Sequence, residues 1–179
     1  MQTLQYTKSH PDAQIFAPQK PGDAGFDLCI VEDVEVGCDT KIIDSHIAVS
    51  IPEGYVGLLF LRSSAGIKKH LRLANHVGII DSTFRGTMKF ALYYQPAFLS
   101  IVDFVKSILS IKSTNSPGFF DPYKLKEYFI DKPNSFCKLE KGERICQLVI
   151  VPYASLQLQL VDKLPDSERG TNGIGSTGK

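Results

Sequence analysis

The sequence predicts an all-β fold, an antiparallel distorted barrel or jelly-roll-like sandwich. Short apolar runs with period-two alternation follow one another, and turn residues such as Pro52-Glu53-Gly54 separate them. Strands do not alternate with long helices before residue 96, which disfavours a parallel doubly wound sheet. With 179 residues, 43% of them apolar, the chain can bury one core. We therefore expect a single domain over residues 1–179.

Composition and charge argue against several classes of function. The net charge of +1 gives no field that would hold a nucleic-acid backbone, so nucleic acid is not an expected partner. The first residues lack the blocks of a signal peptide, and no apolar run approaches the roughly 20 residues of a membrane span. We expect a cytoplasmic protein without membrane contact. Cys29, Cys38, Cys137 and Cys146 show no zinc-type spacing, which indicates reduced thiols that are mostly packing residues.

The first half of the chain predicts several strands and one anion site. Asp27 precedes the apolar run that begins at Leu28, so we expect it at a strand edge. Two strands are predicted over Ile42–Ile51 and Tyr55–Arg62. The second strand ends in Arg62-Ser63-Ser64, whose guanidinium and hydroxyls suit phosphate oxygens. Alternatively, Ser63 or Ser64 caps a short helical turn, and the two interpretations are compatible.

A β-hairpin is predicted next, with apolar arms at 71–77 and 88–94 and a turn-rich tip from Gly78 to Gly86. Asp81 is the carboxylate of this tip. A lone aspartate in a turn is most often only a turn former. A functional role for Asp81 therefore depends on the other segments.

Residues 96–134 differ in character and predict a short helical insert. Phe98, Ile101, Val105 and Leu109 fall at helical spacing, and Asp121-Pro122 suits the start of a second helix. The insert is either a surface excursion packed on the barrel or a platform for a protein partner.

The last third of the chain predicts a strand and a mobile tail. Gln147 is a polar residue in an apolar strand, so it either satisfies a buried partner or reaches a ligand. Residues 165–179 are rich in glycine and hydroxyls and are expected to be mobile without a ligand. Arg169, Ser176 and Thr177 could wrap a phosphate.

Taken together, five segments resemble the motifs of the trimeric all-β dUTP diphosphatases (dUTPases). In family order they are 24–28, 62–64, 75–86, 142–147 and 169–178. Each alone is weak, but five in the right order make chance agreement very unlikely. The insert lies between the third and fourth motifs, where bacteriophage members carry extra segments. The resemblance therefore indicates a phage or prophage origin, and the host cytoplasm as the location.

The resemblance implies a mechanism in which Asp81 is the general base for water attack on the α-phosphorus of dUTP. It implies Mg²⁺ bound to the triphosphate, with Asp27 reaching that ion only through water and no direct protein ligand. It also implies a homotrimer with sites at subunit boundaries. The substrate-binding positions that it implies are Arg62, Ser63, Ser64, Asn75, Gly78, Ile79, Ile80, Phe84, Lys89, Gln147, Arg169, Gly175, Ser176 and Thr177.

Three positions depart from the family pattern. Phe84 replaces a tyrosine, which keeps the ring beneath the deoxyribose but loses its hydroxyl. Ile174 replaces a phenylalanine that stacks on uracil, at an expected cost of roughly 1 kcal/mol. Asn172 replaces a glycine in the tail.

Of two alternative functions, the sequence disfavours the first and leaves the second open. A dCTP deaminase shares the Arg-Ser-Ser segment but needs a glutamate after the hairpin, and no carboxylate lies between Asp81 and Asp103. The second alternative is a nucleotide-gated regulatory protein that binds a partner, such as a repressor, through residues 96–134.

Overall fold

The computed structural model describes residues 3–95 and 136–171. These residues contain strands β1 (Gln5–Lys8), β2 (Ile15–Phe16), β3 (Gly25–Cys29), β4 (Val34–Val36), β5 (Lys41–Asp44), β6 (Ile47–Ser50), β7 (Tyr55–Leu61), β8 (Leu71–Leu73), β9 (Gly78–Ile80), β10 (Lys89–Tyr94), β11 (Cys137–Leu139) and β12 (Arg144–Pro152), and one helix, α1 (Ser63–Ile67). The predicted insert at 96–134 lies outside this range. Within it, no helix has the length and apolar character needed to cross a membrane.

The strands form antiparallel sheets, as the sequence predicts. The largest sheet has the order β2-β3-β12-β7-β9, and a second has the order β5-β10-β8. Two further pairs, β1-β6 and β11-β4, complete the described part of the chain. The all-β class is therefore confirmed, with distorted sheets in place of a closed barrel.

One hydrophobic cluster draws buried side chains from all of these sheets. In β4, β6, β8, β9 and β11 alternate residues are buried in it, as a sheet with one covered face requires. A register shift between Arg144 and Cys146 breaks the alternation in β12, so that Ile145 and Cys146 are both fully buried. Burial raises the pKa of the Cys146 thiol, because the thiolate would lose its hydration. Three of the four cysteines, Cys29, Cys137 and Cys146, are buried, as predicted for packing residues, whereas Cys38 is exposed.

The predicted strand over 42–51 is wrong, because two strands of different sheets occupy it. β5 pairs with β10 and β6 pairs with β1. Between them, His46 adopts a left-handed conformation with φ of 57°, and its amide donates to Asp44 Oδ1 over 2.7 Å. This side-chain turn redirects the chain where apolar alternation alone predicts continuity.

The predicted hairpin is confirmed in its arms and wrong at its tip. Leu73 of β8 lies opposite Leu92 of β10. The start of the predicted tip, however, is the strand β9, which leaves the hairpin and pairs with β7 in the large sheet. The turn is thereby reduced to the residues that follow Ile80.

The contact between β7 and β9 depends on a missing side chain at Gly57. A Cβ atom there would lie 2.7 Å from Ile51 Cδ1, 2.9 Å from Leu148 Cδ1 and 3.1 Å from Ile80 Cβ. We expect Gly57→Ala to destabilise the protein by about 1–3 kcal/mol through overpacking. Gly66→Ala is the matched control, since its Cβ would approach nothing closer than 3.4 Å. Urea unfolding at equal protein concentration measures the difference, and equal midpoints for the two variants would contradict it.

Candidate functional site

A row of four side chains crosses the large sheet and forms the first part of the candidate site. Asp27 lies opposite Phe16 on one side and Gln147 on the other, and Gln147 lies opposite Phe60. Residues directly opposite each other on neighbouring strands point to the same face of a sheet. The buried face of the same strands is formed by residues such as Leu28 and Leu148. The row therefore lies on the face turned away from the core.

Asp27 lies inside β3 and not at a strand edge, which corrects the prediction for this residue. Its carboxylate is 18% exposed and is held between two guanidinium groups. Arg62 Nε lies 3.0 Å from Oδ1, and Arg144 Nη1 lies 3.4 Å from Oδ2. Two cations and one anion leave one net positive charge on this cluster, which suits a polyanionic ligand.

Gln147 reaches across the sheet toward β3 because Gly25 has no side chain. A Cβ atom on Gly25 would lie 2.9 Å from Gln147 Oε1. The Gln147 side chain is half-buried. Its amide therefore lies beside the Asp27 strand, on the face that carries the two arginines.

Helix α1 begins directly after Arg62 and places two hydroxyls at its start. Arg62 is the N-cap residue and makes no side-chain capping bond, so the interpretation of Ser63 or Ser64 as the cap is wrong. Both serines lie in the first turn and are exposed. Their hydroxyls are thus available beside the arginine cluster.

Asp81 follows β9 directly and opens a compact turn. The amide of Phe84 donates to the carbonyl of Asp81 over 3.0 Å, and Arg85 Nη1 donates to the carbonyls of Ser82 and Phe84. Phe84 is 43% exposed and lies against Gly86, where a Cβ would be 2.6 Å from the ring. The Asp81 carboxylate is therefore exposed on a turn that is held by hydrogen bonds between its own residues.

The other predicted residues of this region lie along β9 and its neighbours. Asn75 is exposed, and its side-chain amide lies 3.8 Å from the position of a Cβ on Gly78. Ile79 is 62% exposed, whereas Ile80 is buried against the core. Lys89 is exposed at the start of β10. Ile80 thus anchors the strand, while Asn75 and Ile79 face outward.

The structure does not bring the two groups of residues together within one chain. β7 and β9 are antiparallel, with Gly57 opposite Ile80 and Leu59 opposite Gly78. Arg62 follows the end of β7, whereas Asp81 follows the opposite end of the pairing. At about 3.4 Å per residue, Arg62 and the level of Ile80 are roughly 17 Å apart along β7. The predicted base and the predicted phosphate ligands are therefore separated in a single copy.

The predicted tail residues are only partly described. Arg169 is exposed and lies in a turn in which the amide of Gly170 donates to Ser167. Gly175, Ser176 and Thr177 lie outside the described residues, as do Asn172 and Ile174.

The described residues contain no group of three His, Cys, Asp or Glu side chains that could cage a metal ion. Both oxygens of Asp27 already face guanidinium groups. Mg²⁺ is commonly held by substrate phosphates with few protein ligands. These side chains fit an ion that arrives on a triphosphate.

Two residues of the site were not assigned a role from the sequence. The Arg144 guanidinium lies 4.0 Å from the centre of the Phe16 ring. Arg144 belongs to the segment 142–147, so its position could have drawn attention to it. Phe16 carries no such signal, because its two-residue strand shows no pattern of its own.

A protein-family model and individual relatives of this chain identify the same family. The dUTPase family model matches residues 11–96 and 124–178. The deoxyuridine 5′-triphosphate nucleotidohydrolase of Escherichia phage T5 is 34% identical over 76% of this chain and 68% of its own.

Solved structures agree with this match. The Staphylococcus bacteriophage 80alpha dUTPase with dUpNHpp superposes with a TM-score of 0.72 and 30% identity, covering all of both chains. A phage phi11 dUTPase variant from S. aureus, described with a structural Mg(II) ion, gives a TM-score of 0.66 and 27% identity over 90% of this chain and 98% of its own. The chain belongs to the dUTPase family.

Proposed function

We propose that the chain hydrolyses dUTP to dUMP and pyrophosphate, with Asp81 as the general base. The observation that carries this proposal is the dUTPase match over 11–96 and 124–178, which includes every residue of both groups described above. A carboxylate can orient and deprotonate a water for in-line attack on the α-phosphorus. Asp81 suits this role because it is exposed on a turn that its own backbone bonds hold in shape.

The cluster around Asp27 supplies phosphate binding. A triphosphate needs cations and hydrogen-bond donors more than covalent chemistry. Arg62 uses Nε and Nη1 for Asp27 Oδ1 and the carbonyl of Arg144, so we assign Nη2 to the ligand. Ser63, Ser64 and Gln147 contribute hydroxyl and amide groups on the same side. From the tail, Arg169, Gly175, Ser176 and Thr177 close over the terminal phosphate.

Dependence on Mg²⁺ is general in the family. We place the ion on the triphosphate, with Asp27 in its outer shell through water. When bound, it neutralises phosphate charge and helps to orient the chain of phosphates. Asp27 then faces both the arginines and the hydrated ion.

The β9 region selects the base and the sugar. Asn75 and the main chain of Gly78, Ile79 and Lys89 offer donors and acceptors to uracil, while Ile80 anchors the strand. The Phe84 ring lies beneath the deoxyribose and excludes a 2′-hydroxyl. Its exposure of 43% leaves room for that contact.

The working unit is a homotrimer whose sites lie between subunits. The separation of Asp81 from Arg62 within one chain supports this, because one copy alone does not assemble the site. A second observation that supports it is the arm after β12, residues 153–164, whose leucines are exposed. Leu156, Leu158 and Leu160 are 84%, 104% and 100% exposed at period two, as in a strand that packs on another chain.

A cytoplasmic location, in the host if the gene is from a phage, agrees with the substrate and with the four thiols. The family model leaves residues 97–123 unmatched, within the predicted insert. The comparisons support hydrolysis and do not favour a purely regulatory protein that binds a partner through 96–134.

The base is tested by comparing the native chain with Asp81→Asn. The variant is expected to lose at least about 100-fold in kcat, because the amide cannot accept the proton. Pyrophosphate release from dUTP, dTTP, dCTP and UTP with Mg²⁺ is the measurement, and the native chain should turn over dUTP alone. Asp39→Asn, on an exposed turn, is the matched control. Unchanged turnover in Asp81→Asn would remove Asp81 from the mechanism.

The shared site is tested by complementation. Asp81→Asn and Arg62→Gln chains with different tags are co-expressed, and mixed trimers are purified through both tags. If neighbouring subunits supply the two residues, each mixed trimer has one complete site in three, and about one third of native activity is expected. If one chain supplied both, no site in the mixture would be complete and activity would stay at the level of the separate variants.

A further inference from the structure

We infer that Phe16 and Arg144 are positioning residues that orient Arg62 for phosphate binding through Asp27. The inference rests on the proposed function, since it concerns how the phosphate ligand Arg62 is held. It assigns roles to two residues that lie outside the set named above for substrate. Each step of the connection is a direct contact.

The connection begins at β2, at the edge of the large sheet. The ring of Phe16 lies 4.0 Å from the Arg144 guanidinium carbon, a stacked cation–π arrangement. Phe16 is half-buried and paired with Asp27 in the strand register, so its backbone is held by the sheet. The ring therefore gives Arg144, which is 38% exposed, a fixed surface on which to lie.

Arg144 in turn contacts the pair formed by Asp27 and Arg62 at two points. Its Nη1 lies 3.4 Å from Asp27 Oδ2, and its carbonyl accepts from Arg62 Nη1 over 3.2 Å. Asp27 Oδ1 in turn lies 3.0 Å from Arg62 Nε. Arg62 is thus held at two of its three nitrogens. One acceptor is the Arg144 carbonyl, and the other is the Asp27 carboxylate that the Arg144 guanidinium also contacts.

A planar guanidinium is required at both arginine positions. Stacking on Phe16 uses the flat face of Arg144, while its edge donates to the carboxylate. A lysine would keep the charge but lose the flat face. The contribution of Phe16 is therefore orientation, because the ring carries no charge and donates nothing to the substrate.

The test is the affinity for a non-hydrolysable α,β-imido analogue of dUTP, measured by calorimetry with Mg²⁺. Phe16→Leu is expected to weaken binding about two- to fivefold, the range of an exposed cation–π contact. Phe16→Tyr, which keeps the ring, should bind like the native chain. Arg144→Lys should bind at least about fivefold more weakly. Deoxyuridine, which has no phosphate, should bind all variants alike.

A matched control comes from a second cation–π pair. Lys138 Nζ lies 5.6 Å from the Phe136 ring, and Lys138 belongs to the β11-β4 pair and not to the sheet that carries Asp27. Phe136→Leu makes the same change and should leave analogue binding unchanged. Thermal unfolding of each variant checks that the fold is kept, and Arg144→Lys serves if Phe16→Leu does not fold.

A double-mutant cycle separates positioning from a general structural effect. If Phe16 acts through Arg62, Phe16→Leu should cost no further affinity in an Arg62→Lys background. Full additivity, or a Phe16→Leu variant that binds like Phe136→Leu, would overturn the inference. A native chain that binds the analogue without hydrolysing dUTP would count against the proposed function alone. A native chain that does not bind the analogue would overturn both.

Discussion

Strand β12 pairs along both of its edges, with β3 on one side and β7 on the other, and the candidate phosphate site depends on this double pairing. The register sets Gln147 opposite Asp27 and Phe60, and the turn after β7 then brings Arg62 to the same face. Asp27 at 18% exposure would be costly to bury alone, so the flanking guanidinium groups stabilise it there. The same contacts hold two of the three nitrogens of Arg62. Fold stability and ligand orientation thus share one set of bonds.

The pairing of β9 with β7 separates the proposed base, Asp81, from the proposed phosphate ligands. Because the two strands are antiparallel, Asp81 and Arg62 emerge at opposite ends of their contact. A single copy therefore presents two half-sites, one cationic and one carrying the carboxylate. The proposed homotrimer would join them, and the exposed leucines of the arm after β12 provide apolar surface for association. In this proposal, catalysis depends on assembly.

The sequence predicts those features of the fold and the site that depend on local residue types. It predicts less well those that depend on pairing between residues far apart in the chain. Period-two apolar residues predicted the strands, and the order of five short segments indicated the family. The apolar alternation over residues 42–51 predicts one strand. It does not reveal the left-handed conformation at His46, where the chain changes sheets. The crossing of β9 to β7 could not be predicted, since either neighbouring arm offers a suitable partner. The stacking of Arg144 on Phe16 joins residues far apart in sequence, and neither residue type indicates a contact with the other.

In the proposed reaction, water attacks the α-phosphorus of dUTP in a site formed by Asp81 and the arginine cluster. Hydrolysis of dUTP in ¹⁸O-labelled water, with mass spectrometry of both products, identifies the phosphorus that is attacked. We expect one ¹⁸O atom in the phosphate of dUMP and none in pyrophosphate. Label in pyrophosphate, or release of inorganic phosphate with dUDP, would place the attack at another phosphorus and rule out the proposed reaction.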